Sequence, residues 1–377
     1  MKITGSGMKA VIRTVQALLG IVLLFSGFVK AVDPVGGGIK VAEYLAAFRF
    51  GGSETSEILS LLLGGALCTG EFILGGCLLF GVCRRLSAWA ALAFMSVMTL
   101  VTLYLVIANP VTDCGCFGDA IHLTNGQTFG KNIVLTVMAV ALCLRNADGY
   151  RIFAPRRQPA FIILLSLSVI LFTVRNYRHL PPIDFRPFKV GADLRALTLT
   201  PPDALPDEYD YTFVYSKDGH ERRFTLSDAP MADTAWTFVS AETRLVREGY
   251  RPPVAGFVLH DDAGVDVTEA ILADTAYLYL LVIPSVETAD DGNVEVLNAL
   301  YGQASLHNIP FYALTASPPT AIARWRDRTA ADYPFLTADA TILRTIVRAN
   351  PAVLLLRDAR ILAKWHPIDI PSLNNLP

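Results

Sequence analysis

The stretch DCGCFGD, residues 113–119, places two cysteines one residue apart among glycines and carboxylates. A disulfide between Cys114 and Cys116 closes a very small ring, far from relaxed disulfide geometry. Strain of that kind makes a disulfide easier to reduce, so the pair suits thiol–disulfide exchange better than structural cross-linking. Gly115 and Gly118 permit the backbone angles that such a bridge needs. We therefore take Cys114 and Cys116 as candidate catalytic residues.

Two alternatives stay open for this loop. The thiols can form an inert turn or a lasting local disulfide, or they can join His122 in a metal site that Asp113 or Asp119 completes. Cys-x-Cys is a less typical zinc spacing than Cys-x2-Cys, and no second cysteine pair accompanies it. The sequence therefore ranks exchange first and metal binding last.

The chain divides into two halves of different composition. Residues 1–180 hold all six cysteines and carry 15 Lys and Arg against 8 Asp and Glu, a net charge of +7. Residues 181–377 carry 17 against 26, a net charge of −9. A hydrophobic basic half joined to an acidic, cysteine-free half indicates a membrane domain followed by a water-exposed domain. The acidic half has no basic stripe, so no nucleic-acid partner is expected.

Five apolar runs can supply membrane-spanning helices. A bilayer core needs roughly 20 apolar residues per helix, with a lower limit near 17. The second and third runs meet this easily, whereas the fourth and fifth are short and each can instead be a core helix. The runs cover residues 11–30, 58–82, 86–107, 128–145 and 158–174.

Loop charges predict which side of the membrane each connection faces. Lys and Arg residues precede the first run and fill the connections before the third and fifth, so alternating helices bring them all to one side. By the positive-inside rule that side is the cytoplasm. Residues 31–57, residues 108–127 and everything after Val174 then face the oxidising outer compartment, where a cysteine pair has redox meaning. A cleaved signal peptide is the alternative for the first run.

Glu71 lies near the middle of the second run, where a carboxylate is costly and often marks a pathway, a proton relay or a ligand contact. The alternative is structural, with a protonated Glu71 bonded to another helix. Cys68 lies one turn away on the same helix face, so this third thiol can have a general base beside it, although simple packing is the alternative. Lys30 and Asp33, at the outer end of the first run, are interface residues by default and further candidate binding residues. Pro34 is expected to end that helix.

The chain beyond residue 180 begins with a Pro-rich connector and then alternates short apolar runs with turn signals. The run YDYTFVYSKDGHERRFTL predicts a hairpin closed at residues 217–219. The strand-rich pattern continues to about residue 272, with a second turn at residues 261–264. From residue 276 the pattern changes to strand–helix alternation, which predicts an α/β unit. Its strands are AYLYLLVIP, IPFYALTAS and a final pair in NPAVLLLRDARILAKW, and its helices are GNVEVLNALYGQASLHN, PTAIARWRDRTA and DATILRTIVRA.

The order of these elements resembles the thioredoxin-like fold over residues 276–366. Pro351 in ANPAVLLL matches the cis-proline loop of that fold, which implies a cis Asn350–Pro351 bond and makes both residues candidate binding residues. The cysteine motif of the fold should follow the first strand, but residues 284–291 contain no cysteine. The resemblance therefore implies a degenerate module that binds a partner without thiol chemistry of its own.

The membrane half resembles the DoxX/MauE group of bacterial membrane proteins over residues 10–147. The matching segments are FSGFVKAVDP, GEFILGG around Glu71, and DCGCFGD followed by TFGKN. The resemblance implies an α-helical membrane bundle with a four-helix core and a fifth transmembrane helix, followed by a soluble α+β outer domain with a thioredoxin-like unit. The MauE-like branch implies maturation of a disulfide-rich periplasmic dehydrogenase subunit. The DoxX relatives imply thiosulfate–quinone chemistry, so quinone is the cofactor to test.

We expect a four-helix membrane domain over residues 1–147, a cytoplasmic loop and fifth span over 148–180, a linker and strand-rich region over 181–275, and a thioredoxin-like domain over 276–377. The expected location is the bacterial inner membrane, with the N-terminus in the cytoplasm and the C-terminal domain in the periplasm. The leading function is extracytoplasmic thiol–disulfide exchange, or maturation of envelope proteins, with a protein client or redox partner. The alternatives are a non-catalytic accessory or assembly protein, and a quinone- or small-molecule-binding subunit built around Glu71. Whether the chain is an enzyme stays open.

Overall fold

The computed structural model describes residues 5–48, 55–111, 114–231 and 233–371. Within these residues, the N-terminal part is built from helices and their connections. Its helices are α1 (Gly5–Val32), α2 (Pro34–Ala47), α3 (Thr55–Leu79), α4 (Arg84–Ala108), α5 (Asn125–Leu144) and α6 (Gln158–Arg178).

The prediction of five membrane-spanning helices is confirmed. Within the described residues, five helices are long and apolar enough to cross a membrane, at Ser6–Val32, Ile58–Leu79, Arg84–Ala108, Asn125–Leu144 and Pro155–Arg178. The last two expose large aliphatic side chains, among them Val137 on α5 and Leu171 on α6, as a lipid-facing helix does and a core helix does not. The chain is a membrane protein.

Small residues hold α1 and α3 in backbone contact. A Cβ at Gly27 would lie 2.5 Å from the Phe72 nitrogen, and one at Gly20 would lie 2.7 Å from the Leu79 nitrogen. Such close approach is the usual role of small residues between membrane helices, because lipid provides no hydrophobic drive for helix association. α4 packs against α5 and α1 through a separate apolar cluster that includes Met95 and Leu135.

The first connection between spans contains a helix that the sequence reading did not predict. α1 does end at Val32, but Pro34 also opens α2, since its fixed φ suits the first position of a helix. Asp33 caps α2 by accepting a hydrogen bond from the Gly36 nitrogen at 2.8 Å. α2 lies against α3, where a Cβ at Gly38 would be 3.2 Å from the Leu61 Cα.

The strand-rich region forms a separate antiparallel sheet. Its strands are β1 (Glu208–Lys217), β2 (His220–Thr225) and β3 (Thr237–Arg247), in the order β2-β1-β3. A short helix α7 (Leu194–Thr198) precedes this sheet in the chain. The predicted hairpin is confirmed, with Asp218 and Gly219 both at positive φ in its turn. The strand prediction is wrong beyond β3, because residues 248–267 contain only isolated bridges at His260 and Asp266, and residues 268–273 form helix α8 (Thr268–Ala273).

The remaining residues form a five-stranded sheet with helices on its faces. Its elements are β4 (Tyr277–Ile283), α9 (Val294–Leu306), β5 (Phe311–Thr315), α10 (Pro319–Thr329), β6 (Phe335–Thr337), α11 (Ala340–Ile346), β7 (Ala352–Arg357) and β8 (Arg360–Trp365). The strand order is β6-β5-β4-β7-β8, with β4, β5 and β6 parallel and β7 and β8 antiparallel to their neighbours. The Asn350–Pro351 bond before β7 is cis. This is the thioredoxin-like arrangement, so the predicted fold class is confirmed. The prediction missed β6, which has only three residues.

Candidate functional site

The two sulfur atoms of the Cys114–Gly–Cys116 turn lie against each other. Cys114 Sγ is 2.8 Å from Cys116 Sγ, and both cysteines are free thiols. Gly115 and Gly118 have φ values of +62° and +48°, and the Gly118 nitrogen donates to the Gly115 oxygen at 3.1 Å. Glycine reaches these angles without a steric penalty, so the turn depends on both glycines to bring the thiols together.

The thiol pair is enclosed between helices. Cys114 and Cys116 are 5% and 8% exposed and pack with Leu105 of α4. From α2, the Tyr44 hydroxyl donates to the Cys114 carbonyl oxygen at 2.5 Å. The Lys40 stem lies over the turn, where a Cβ at Gly115 would be 2.9 Å from the Lys40 Cγ. Residues of α2 and α4 therefore both restrict access to the sulfur atoms.

The two thiols have opposite acidities. The hydrogen bond between the two sulfur atoms lowers the pKa of Cys116, although burial opposes this shift. The positive charges of Lys131 and Lys30 lower the pKa of Cys116 further. The same bond, together with burial, raises the pKa of Cys114. Since Lys131 Nζ lies 4.3 Å from the centre of the Phe117 ring, it is held beside the turn. The positive charges beside the turn therefore favour Cys116 as the more acidic thiol of the pair.

A buried ion pair lies directly below the turn. Lys30 Nζ is 2.6 Å from Glu71 Oε2, and the two residues are 9% and 3% exposed. Ser26 joins this pair to the turn, because its Oγ is 2.8 Å from Glu71 Oε2 and 2.8 Å from the Cys116 carbonyl oxygen. The default interface reading of Lys30 is thus wrong, since the side chain turns inward to the carboxylate. Glu71 binds a residue of α1, as expected for a structural role, but it does so through an ion pair with Lys30 and not as a protonated acid.

Sequence reasoning missed Ser26, although a signal was present. Ser26 and Lys30 are four residues apart on α1, so they share a helix face, and Lys30 Nζ donates to Ser26 Oγ at 2.9 Å. Two polar side chains at this spacing in an otherwise apolar span indicate a buried polar partner on another helix.

Cys68 belongs to a different environment. It is 1% exposed and packs with Ala31 and Val169. Within the described part of the chain, its sulfur makes polar contacts with the Gly27 oxygen at 3.5 Å and the Thr173 hydroxyl at 3.9 Å. The structure does not bring this thiol into contact with the Cys114 turn, and its role as a third thiol stays a prediction.

The described residues cover the metal alternative only in part. Among the described residues, no group of three His, Cys, Asp or Glu side chains could hold a metal ion. His122 lies near Cys116 at the edge of a small cavity, but without a further ligand. Asp113, one of the two predicted partners, lies outside the described residues, and Asp119 binds an arginine instead.

That arginine, Arg348, joins the C-terminal domain to the membrane domain. Its Nε lies 2.8 Å from Asp33 Oδ2, and its Nη2 lies 3.3 Å from Asp119 Oδ2. A second junction links the end of α6 to the end of the chain, with His179 Nδ1 2.8 Å from Asp369 Oδ1. The Cys114 turn and the C-terminal domain therefore lie on the same side of the helical bundle, as the loop charges predict.

The cis-proline loop of the C-terminal domain lies beside the segment where the fold usually carries its cysteines. The Asn350 side-chain amide donates to the Ser285 oxygen at 2.7 Å. Glu287 in that segment accepts from the hydroxyls of Ser317 at 2.5 Å and Ser285 at 2.9 Å. Hydroxyl and carboxyl groups occupy this position, so the domain contributes no thiol to the site.

Comparison with known proteins finds a family that the membrane domain is similar to. Residues 8–145 match the family described as methylamine utilisation protein MauE, and residues 209–248 match a domain of unknown function. No curated protein matches the chain.

Two of the similar solved structures are peroxide-reducing proteins. One is the bacterioferritin comigratory protein of Xanthomonas campestris, described for alkyl peroxide reduction, with 12% identity and a TM-score of 0.22 over 29% of this chain and 78% of that one. The other is a thiol peroxidase from Chromobacterium violaceum, with 17% identity and a TM-score of 0.23 over 29% and 72%. These scores are low, so the fold assignment rests on the strand order above.

Residues 8–145 of this chain are therefore similar to the MauE family, and they are joined to a C-terminal domain of thioredoxin-like fold that has no cysteine.

Proposed function

We propose that the chain is a thiol–disulfide exchange protein of the bacterial inner membrane, with Cys114 and Cys116 as its reacting pair on the extracytoplasmic side. The observation that carries the proposal is the 2.8 Å separation of the two sulfur atoms at the mouth of the bundle. A pair held this closely needs little movement to close or open a disulfide. The lysines beside it favour the thiolate that exchange requires.

The exchange proceeds in two displacements. The Cys116 thiolate attacks one sulfur of a partner disulfide, forms a mixed disulfide and releases the first partner thiolate. Cys114 then loses its proton and attacks Cys116 Sγ, which forms the Cys114–Cys116 disulfide and releases the second partner thiolate. The partner gains two electrons and the pair loses two, while the partner's thiolates take up the Cys114 proton and one proton from solvent, to which Cys116 had released its own. The reverse sequence oxidises a partner dithiol.

The enclosure of the thiols restricts which partners can react. Tyr44 and Lys40 of α2 cover the turn, so a partner must displace this helix or bind as it moves. The proposal therefore favours an extracytoplasmic protein client that docks at α2 over a small thiol in free solution.

A non-catalytic accessory role is the second candidate. It is favoured by the absence of cysteine from residues 284–291, which leaves the C-terminal domain as a binding module. A quinone site at Glu71 has less support. Glu71 is buried and its Oε2 already accepts from Lys30 and Ser26, so a quinone oxygen, which is also an acceptor, would have to compete with the carboxylate for these donors. We derive no step through a quinone.

Thiol trapping tests the proposal. Intact cells are treated with a membrane-impermeant maleimide before and after mild reduction, and Cys114 and Cys116 are read by peptide mass spectrometry. We expect a mixed population of thiols and disulfide that shifts with the reductant. Cys143, half-buried on α5 at the opposite end of the bundle, provides the matched control and should stay unlabelled. A pair that stays reduced under every oxidant would rule out exchange and favour the accessory role.

A further inference from the structure

One arginine of the C-terminal domain holds two parts of the membrane domain at once. Arg348 contacts Asp33 Oδ2 at 2.8 Å and Asp119 Oδ2 at 3.3 Å, and its Nη1 donates to the Arg344 oxygen at 2.8 Å. The Arg348 side chain is only 18% exposed, so solvent weakens these contacts less than it weakens ordinary surface ion pairs. The guanidinium is therefore fixed by helix α11, which ends two residues before it, and by both carboxylates.

Each carboxylate that Arg348 binds controls a different part of the cysteine site. Asp33 caps α2, the helix from which Tyr44 covers Cys114. Asp119 directly follows the glycine turn that places the two sulfur atoms together. A single side chain thus links the cover of the site to the turn beneath it.

Arg348 lies beside the cis-proline loop of the C-terminal domain. Arg348 lies two residues before Asn350, whose amide binds the Ser285 oxygen in the segment that lacks cysteines. The edge of the thioredoxin-like domain that would otherwise carry its own thiols therefore faces the membrane domain's cysteine turn.

We propose that Arg348 is a positioning residue through which the cysteine-free thioredoxin-like domain holds the cysteine turn of its own chain as its bound segment. This inference rests on the proposed exchange at Cys114 and Cys116, and it adds the part that the C-terminal domain plays. The thioredoxin-like domain supplies a positive charge beside Cys114 and Cys116 of the membrane domain and fixes the position of their turn.

The charge contribution has a definite sign. Arg348, Asp33 and Asp119 together carry a formal charge of minus one, and Arg348→Met makes it minus two. The added negative charge disfavours the thiolate of the reduced pair. We expect the equilibrium between dithiol and disulfide to move toward the disulfide by about threefold to tenfold. That change corresponds to a reduction potential about 14 to 30 mV more negative.

The experiment uses the full chain in lipid nanodiscs equilibrated with glutathione buffers, followed by alkylation and mass spectrometry of the cysteine pair. Arg348→Lys keeps the charge and should keep the potential. Arg348→Met with Asp119→Asn returns the formal charge to minus one and should restore the potential as well. Arg328→Met is the matched control, because Arg328 pairs with Asp291 inside the C-terminal domain at 3.2 Å.

A second readout separates this inference from the proposed function. The rate at which an impermeant maleimide labels reduced Cys116 should rise at least about threefold in Arg348→Met, because α2 moves more freely without the Arg348–Asp33 contact. In Arg348→Lys the labelling rate should return toward that of the wild type. If Arg348→Met matches Arg328→Met in both readouts, the inference is wrong while exchange stands. If the wild-type pair never oxidises, the proposed function is wrong, and the labelling rates alone decide the role of Arg348.

Discussion

Neutralising Glu71 should destabilise the membrane domain far more than neutralising an exposed glutamate. In Glu71→Gln the amide oxygen can still accept from Lys30 and Ser26, so the change removes charge and keeps shape. Two unit charges 2.6 Å apart attract by about 6 kcal/mol at an effective dielectric constant of about 20. Lys30 can release its proton when its partner is neutral, which recovers part of the lost attraction. The expected loss in the free energy of unfolding is therefore about 3 to 5 kcal/mol, as for other buried pairs that lose one partner.

The assay is thermal unfolding of the purified chain in detergent, followed by the loss of folded protein on size-exclusion chromatography. A loss of this size lowers the Tm by roughly 6 to 20 °C for a domain of this length. Glu242→Gln is the matched control, because Glu242 pairs with Arg223 at 3.3 Å on the exposed sheet, and it should change the Tm by less than about 2 °C.

The double variant Lys30→Met with Glu71→Gln completes the argument. It leaves no buried charge, so it should be more stable than Glu71→Gln alone. The reasoning is refuted if Glu71→Gln melts within about 2 °C of the wild type, or if the double variant is the less stable of the two.

Two further predictions concern packing and pH. Gly27→Ala should lower the free energy of unfolding by about 1 to 3 kcal/mol in thermal unfolding, since its Cβ would meet the Phe72 backbone. Gly70→Ala is the control and should cost far less, because a Cβ there would have nothing within 4 Å. Equal losses in the two variants would contradict the close contact between α1 and α3. Burial lowers the pKa of Lys364 to about 8, so the unfolded chain binds more protons than the folded one between about pH 8 and 10.5. The stability of the C-terminal domain should therefore rise across that window on the order of 3 kcal/mol, as measured by thermal unfolding at a series of pH values, and Lys364→Met should lack this rise.

Local sequence signals were sufficient for much of the fold. The Asp218–Gly219 pair specifies its hairpin turn because both positions need positive φ. The run of Tyr277–Ile283 is continuously apolar because the strand is covered on both faces. The five spans follow from length and composition alone.

Signals that depend on distant partners could not be predicted in this way. Asp33 and Pro34 can end one helix or begin the next, and only the packing of α2 on α3 decides that they do both. Lys30 and Glu71 are separated by 41 residues, so their pairing depends on the rotation of two helices. The sequence identified both as candidates but could not show that they bind each other.

The contact between Arg348 and Asp119 also has a consequence for biosynthesis. The two residues are 229 positions apart, and a ribosome adds about 5 to 20 residues per second, so the cysteine turn is made roughly 10 to 50 s before Arg348. During that interval the turn has no C-terminal domain above it. A newly made pair can therefore react with the oxidants or reductants around it before the mature enclosure exists.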